Sequence, residues 1–204
     1  MLPVSLCSFV HELEKLAAVV DDAELKKTLQ PGDILYTKPR KNEGLFNKLF
    51  YAIESRLQDN PFTHVGLYVG NNKVVDSGDW REKTKGGDFG VNAVPLEDFK
   101  DRYQFKVLRP EASPEQRKDA VEYAKDQVGT PFNLRGMLRL VMPGKSERLG
   151  LQDRKATEAL FCSELISNAY HHLNLVPEKK RRHNHVFPGD IAKSEQVEEI
   201  AEYR

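Results

Sequence analysis

With 204 residues, 39% of them hydrophobic, the chain is long enough for one full core and nothing in it demands a second, so residues 1–204 read as a single domain. Thirty-one basic residues offset thirty-one acidic ones, which leaves no global field to recruit nucleic acid or an anionic membrane. Two cysteines, Cys7 and Cys162, stand 155 residues apart without a CxxC or Cys/His cluster, which argues against a disulfide scaffold or a structural zinc site and for a reducing compartment.

The opening MLPVSLCSFV has no basic region before it and meets Glu12 and Glu14 at once, so no signal peptide is read. No stretch approaches the roughly 20 apolar residues of a membrane span, and a cytoplasmic setting is expected. Phe9, Leu13, Leu16, Ala17 and Val20 recur at helical spacing, predicting a helix over 8–20 within an N-terminal helical segment 1–30, with a second piece from Ala23 to Leu29. Gln30-Pro31-Gly32 ends it, and Asp33-Ile34-Leu35-Tyr36 begins a strand. After a polar loop from Lys38, Leu45, Leu49, Ala52 and Ile53 mark another helix that stops before Asn60-Pro61.

The stretch HVGLYVGNNKVVDSG, 64–78, reads as two strands around a turn at Asn71-Asn72. Gly78 to Gly90, rich in charge and glycine, is expected to be an exposed loop that could cover a cleft. Short strands at Val91–Val94 and Phe105–Leu108 flank a helical turn at Leu96–Arg102. Ser113-Pro114-Glu115-Gln116 carries an N-cap serine, a proline at the first helical position and a glutamine at the third, a capping box that starts a helix closed by Gly129. Leu134–Val141 is a candidate helix, 143–154 a loop, and FCSELISNAYHHL a clear helix over 161–173. The basic run Lys179–Arg182 reads as a solvated loop rather than a phosphate or nucleic-acid grip, and an acidic helix, 191–204 in outline, ends the chain.

Within the helix at 161–173, Leu165, Ile166, Ala169, Tyr170 and Leu173 form the apolar face, so Cys162 points inward from the first turn. A helix N-terminus favours negative charge, which suits a thiolate, and a neighbouring imidazolium would suit it further. In the strand from residue 64, Val65, Leu67 and Val69 form a core face while His64, Gly66 and Tyr68 form the other. Gly66 leaves a vacancy on the histidine side where a helix end could approach. A histidine acting as base needs its second nitrogen bonded by an acid, and Asp76 is the natural choice. With Asn71-Asn72 as a two-residue turn, Gly70 pairs with Lys73 and Leu67 faces Asp76, which places that carboxylate on the wrong side of the sheet. An odd-length loop or a bulge is required to bring it round; if the turn is tight instead, Ser77 takes its place on the histidine side, with Asp79 in reserve.

These residues resemble the circularly permuted branch of the NlpC-type papain-like cysteine hydrolases, which includes the bacterial YiiX-like proteins and is related to lecithin:retinol acyltransferase. The likeness runs from about residue 31 to 190 and rests on Gly32-Asp33-Ile34-Leu35, Thr63-His64-Val65-Gly66, Val74-Val75-Asp76 and Cys162-Ser163-Glu164-Leu165, with Gly129-Thr130-Pro131-Phe132 and Pro188-Gly189-Asp190 in the general layout. The order, histidine before cysteine, is that of the permuted branch. The resemblance implies an α+β, papain-like fold with core 31–190, in which an antiparallel sheet packs against helices and a helix in the C-terminal half carries the catalytic cysteine. It further implies amide hydrolysis through Cys162, His64 and Asp76, without metal or cofactor, on a peptide, a cell-wall peptide or a lipid-linked amide. Backbone N–H groups at Cys162 and Ser163 are expected oxyanion donors, and Glu164 and Ser77 further candidates beside the substrate. Lipid acyl transfer, thioester cleavage or a non-catalytic ligand-binding module are the rival readings, and apolar exposure around 134–142 would favour lipid. Oligomeric state is open.

Overall fold

The computed structural model describes residues 18–40, 55, 60–81, 84–141, 159–173, 175–176 and 186–204. The helices expected over 45–53 and, for the most part, 8–20, the loop 143–154 and the run Lys179–Arg182 lie outside them.

Seven strands form one mixed sheet: β1 (Ala18–Val19), β2 (Ile34–Pro39), β3 (His64–Gly70), β4 (Lys73–Asp79), β5 (Phe89–Pro95), β6 (Tyr103–Pro110) and β7 (Val197–Tyr203), in the spatial order β1-β7-β6-β2-β3-β4-β5. All neighbours are antiparallel except β1 and β7, which run parallel. The helices are α1 (Asp22–Thr28), α2 (Leu96–Arg102), α3 (Pro114–Asp126), α4 (Leu134–Val141), α5 (Cys162–Ala169) and α6 (Pro188–Ala192). Local chemistry accounts for their starts. The Asp21 carboxylate accepts the N–H groups of Ala23 and Glu24 at the start of α1. At α3, Ser113 Oγ accepts the Gln116 N–H while Gln116 Oε1 accepts the Ser113 N–H, the reciprocal box read from the sequence.

Because side chains alternate across a strand, the sheet buries both faces. On one, Ile34, Val65, Leu67 and Val75 pack against Ala120 and Val121 of α3 and Leu165 and Ile166 of α5. On the other, Leu35, Tyr68, Val74 and Val107 pack against Leu25 of α1, Leu96 and Phe99 of α2, and Trp80. Each fully buried side chain of this size contributes about 1.5–3 kcal/mol. The vacancy at Gly66 is filled by this second core: a Cβ there would lie 2.9 Å from Val74 Cγ1 and 3.2 Å from Phe99, so side chains, not a helix end, occupy the space.

Gly32 and Asp33 fasten the sheet to the helices. Asp33, fully buried, accepts two hydrogen bonds from Arg109 of β6 at 2.9 and 2.8 Å and the Gln30 N–H at 2.8 Å. The Tyr170 hydroxyl, just past α5, donates to the Gly32 carbonyl at 2.5 Å. Gly32 has φ +95°, and a Cβ there would meet that hydroxyl at 2.7 Å, so the glycine is required by conformation and by close approach.

Both ends of the described chain differ from the sequence reading. Residues Val197–Tyr203 form a strand, not the expected terminal helix, and Ala18–Val19, the tail of the expected first helix, are also extended. The ladder decides this: without β7, strand β6 would present an open edge of unpaired N–H and C=O groups. Ala201 pairs with Val107 on one side and Ala18 on the other and is fully buried, while Lys106 meets Glu199 at 2.9 Å.

Candidate active site

Helix α5 begins at Cys162, with Phe161 extended before it. Its first turn is anchored from several directions. The Glu164 carboxylate accepts the Phe161 N–H at 3.0 Å and the Asn133 side-chain amide at 3.1 and 3.3 Å, and Asn133 Oδ1 accepts the Gly136 N–H at 2.9 Å, which couples α4 to α5. The Ser163 hydroxyl donates to the Val186 carbonyl at 2.6 Å, and the Ser77 hydroxyl reaches from β4 to the Leu160 carbonyl at 2.7 Å. Thus the side chains of Glu164 and Ser77, candidates beside the substrate, and that of Ser163, expected to serve through its backbone N–H, each brace the start of the helix. The N–H groups of Cys162 and Ser163 find no acceptor among the described residues, as expected of the first turn of a helix.

The hairpin resolves the demand made of its register. Asn71 and Asn72 form a two-residue turn with φ of 51° and 53°, the left-handed geometry that asparagine tolerates. Gly70 pairs with Lys73, but the ladder slips between Tyr68 and Gly70, so that Tyr68 faces Val74, Leu67 faces Val75 and Gly66 faces Asp76. A bulge in β3 at Val69 therefore moves Asp76 to the side of Gly66 and His64, while Ser77 turns to the opposite face. The turn is tight, and the acid still faces the histidine.

His64 Nε2 and Asp76 Oδ1 are 2.6 Å apart, with side chains 7% and 0% exposed, so water does not screen the pair. His64 is the first residue of β3, and at this margin of the sheet its ring comes within Coulombic and hydrogen-bonding reach of the Cys162 thiol. With Nε2 committed to Asp76, Nδ1 is the nitrogen left for sulfur. Burial alone would lower the imidazole pKa, but the Asp76 carboxylate, and then Cys162, hold it well above its ordinary value of 6.5. The pair thus favours the charged form of the ring relative to a free imidazole.

Two aromatic residues that sequence reasoning did not single out complete the surroundings. Tyr103 stacks on His64 with ring centroids 5.3 Å apart and planes 23° apart, and the Trp80 indole N–H donates to Asp76 Oδ2 at 2.8 Å. Trp80 lies at the base of the segment expected to be an exposed loop, yet it is fully buried. A signal was available: it is the chain's one tryptophan, four residues after the acid. Asp79, the reserve candidate, instead pairs with Arg81 at 2.7 Å. Among the described residues no group of three or more His, Cys, Asp or Glu could hold a metal ion, and no helix is long and apolar enough to cross a membrane.

Comparison with known proteins bears on this arrangement. A family model described as "Permuted papain-like amidase enzyme, YaeF/YiiX, C92 family" matches residues 28–200. Among solved structures, the chain is similar to the crystal structure of metalloprotein yiiX from Escherichia coli O157:H7, with a TM-score of 0.54 and 16% sequence identity over 85% of this chain and 97% of that one. That likeness supports the fold alone. A search of curated proteins gave no match.

Proposed function

The chain belongs to the permuted papain-like amidase enzymes of the YaeF/YiiX, C92 family, and on that footing we propose that it is a cysteine amidase acting through Cys162, His64 and Asp76. The observation that carries the reading is the buried 2.6 Å contact between His64 and Asp76, with the Cys162 thiol within reach of the same ring. Cys162, having given its proton to His64, attacks the amide carbon as thiolate, and the carbonyl oxygen takes up negative charge against the N–H groups of Cys162 and Ser163. The imidazolium returns the proton to the amine as the C–N bond breaks, leaving a thioester. His64 then removes a proton from water, whose oxygen attacks the thioester, and hands it back to sulfur as the acid leaves. Asp76 fixes the tautomer and orientation of the ring throughout.

The substrate is an amide in a peptide, a cell-wall peptide or a lipid-linked compound. A second reading, transfer of a lipid acyl group or cleavage of a thioester, is supported by one feature. Phe161 and Met137, with Phe132 and Phe187 against them, make a separate apolar cluster beside the nucleophile.

Iodoacetamide labelling of Cys162, followed by peptide mass in the wild type and in His64→Ala, tests the proposal without a known substrate. Fast labelling at near-neutral pH that slows in the variant is expected. Equal slow labelling in both would remove the ion pair and the mechanism with it. An acyl group trapped on Cys162, identified by intact mass, separates the peptide and lipid readings.

A further inference from the structure

We propose that Trp80 is a positioning residue of this site: its indole N–H holds one oxygen of Asp76 so that the other is left, correctly aimed, for His64. The inference rests on the cysteine amidase reading. Asp76 Oδ1 is 2.6 Å from His64 Nε2 and Oδ2 accepts from Trp80 Nε1 at 2.8 Å, so the carboxylate is held at both ends and has lost the rotation about its own axis. A buried tryptophan needs some acceptor for its N–H, and a backbone carbonyl would satisfy it. Here the acceptor is the same carboxylate that is bonded to the imidazole.

Trp80 is itself held in place. Its backbone N–H donates to the Asp88 carbonyl at 3.0 Å and its backbone carbonyl accepts the Thr84 N–H at 3.3 Å. A Cβ at Gly87 would lie 2.2 Å from that carbonyl oxygen, so the close approach of residue 87 to Trp80 requires glycine there. The Arg102 guanidinium covers both the Trp80 ring at 4.7 Å and the Tyr103 ring at 5.2 Å, and it donates to the Asp79 carbonyl at 2.5 Å. Tyr103 in turn stacks on His64. One cation therefore clamps the two aromatic rings that hold the acid and the base. Gly78 lies beside this pair: a Cβ there would make ordinary van der Waals contact with Asp76 Oδ2 at 3.5 Å and Trp80 Nε1 at 3.6 Å.

Without the indole N–H, Oδ2 would be a buried, charged oxygen lacking that donor, and the carboxylate would be free to turn. The imidazole would lose its fixed tautomer, as the geometry of such acid–base pairs requires. The test is iodoacetamide labelling of Cys162 at pH about 6.5 in the wild type, Trp80→Phe and His64→Ala, with circular dichroism as the check on folding. Labelling about tenfold slower in a folded Trp80→Phe is expected, the effect of one charge-assisted hydrogen bond. Trp80→Phe labelling at the wild-type rate, with His64→Ala slow, overturns the positioning role and leaves the amidase reading intact. His64→Ala labelling like the wild type overturns that reading itself.

If Trp80→Phe does not fold, the wild-type protein carries the test, because its one tryptophan gives a single indole N–H resonance. That resonance is expected to shift when Cys162 is carbamidomethylated and as the imidazole titrates. An indole signal unmoved by both overturns the proposal, since a tryptophan that merely fills the core would not sense the charge of the ring.

Discussion

Replacing Asp76 by asparagine changes one oxygen to an NH2 group and little else, yet it cannot satisfy both neighbours. Two N–H donors converge on this carboxylate, His64 Nε2 at 2.6 Å and Trp80 Nε1 at 2.8 Å, and an amide offers one acceptor. If the amide oxygen faces His64, the NH2 group opposes the indole N–H. If it faces Trp80, the NH2 group demands that Nε2 accept, which forces the ring proton onto Nδ1, the nitrogen left for sulfur. The ring can then no longer take the thiol proton without becoming an imidazolium whose Nε2–H faces a donor. A hydrogen bond to a charged group contributes about 1.5–3 kcal/mol, against about 1 for a neutral one, and a buried donor left unpaired costs about 1–3 more. The two side chains are 7% and 0% exposed, so solvent does not soften the loss. A penalty of about 2 kcal/mol on the charged ring corresponds to roughly thirtyfold, and iodoacetamide labelling of Cys162 at pH about 6.5 should slow by that factor. Cys7 is first replaced by serine so that the mass change reports one thiol. A folded Asp76→Asn protein that labels within twofold of the wild type would refute the reasoning, because the acid would then not govern the state of the imidazole.

The raised pKa of His64 has a sign that can be measured: the contribution of the charged ring to stability is fully present below the ordinary value of 6.5 and is lost as pH rises through the higher folded value. The melting temperature of the wild type relative to His64→Gln should therefore be highest at mildly acidic pH and fall as the pH is raised above that value; a constant difference across the range would contradict the assignment. Gly66→Ala should destabilise by about 1–3 kcal/mol, since the new methyl would sit 2.9 Å from Val74 in a filled core, and denaturant unfolding would read it. Asp33→Asn removes the charge of a fully buried carboxylate from its pair with the partly buried Arg109 and should lower stability by about 1.5–3 kcal/mol in the same assay, with an unchanged midpoint as the contrary result.

The features legible in the sequence are those whose cause lies within a few residues. The Ser113 capping box, the Asn71-Asn72 turn, the alternation in β3 and β4 and the inward face of α5 all rest on neighbours in the chain, and each has its place in the fold. The residues proposed as nucleophile, base and acid were nameable for the same reason, by residue type and by position at a helix start or a strand. Other features have their cause far along the chain. Residues 197–203 are extended because β6 and β1 offer their backbones on either side, and no local preference of an acidic segment reports that. Which of Asp76 and Ser77 faces His64 turned on one extra residue in β3, and a period-2 pattern is blind to a bulge until the pairing is known. Trp80 meets Asp76 only once the segment after β4 folds back over the sheet, and Tyr103 reaches His64 from a strand that lies two places away. Sequence alone thus determined which chemistries were present and which short elements carried them. The tertiary structure decided which side chains meet, because contact across a sheet depends on pairing register and packing, and neither is encoded in any one segment.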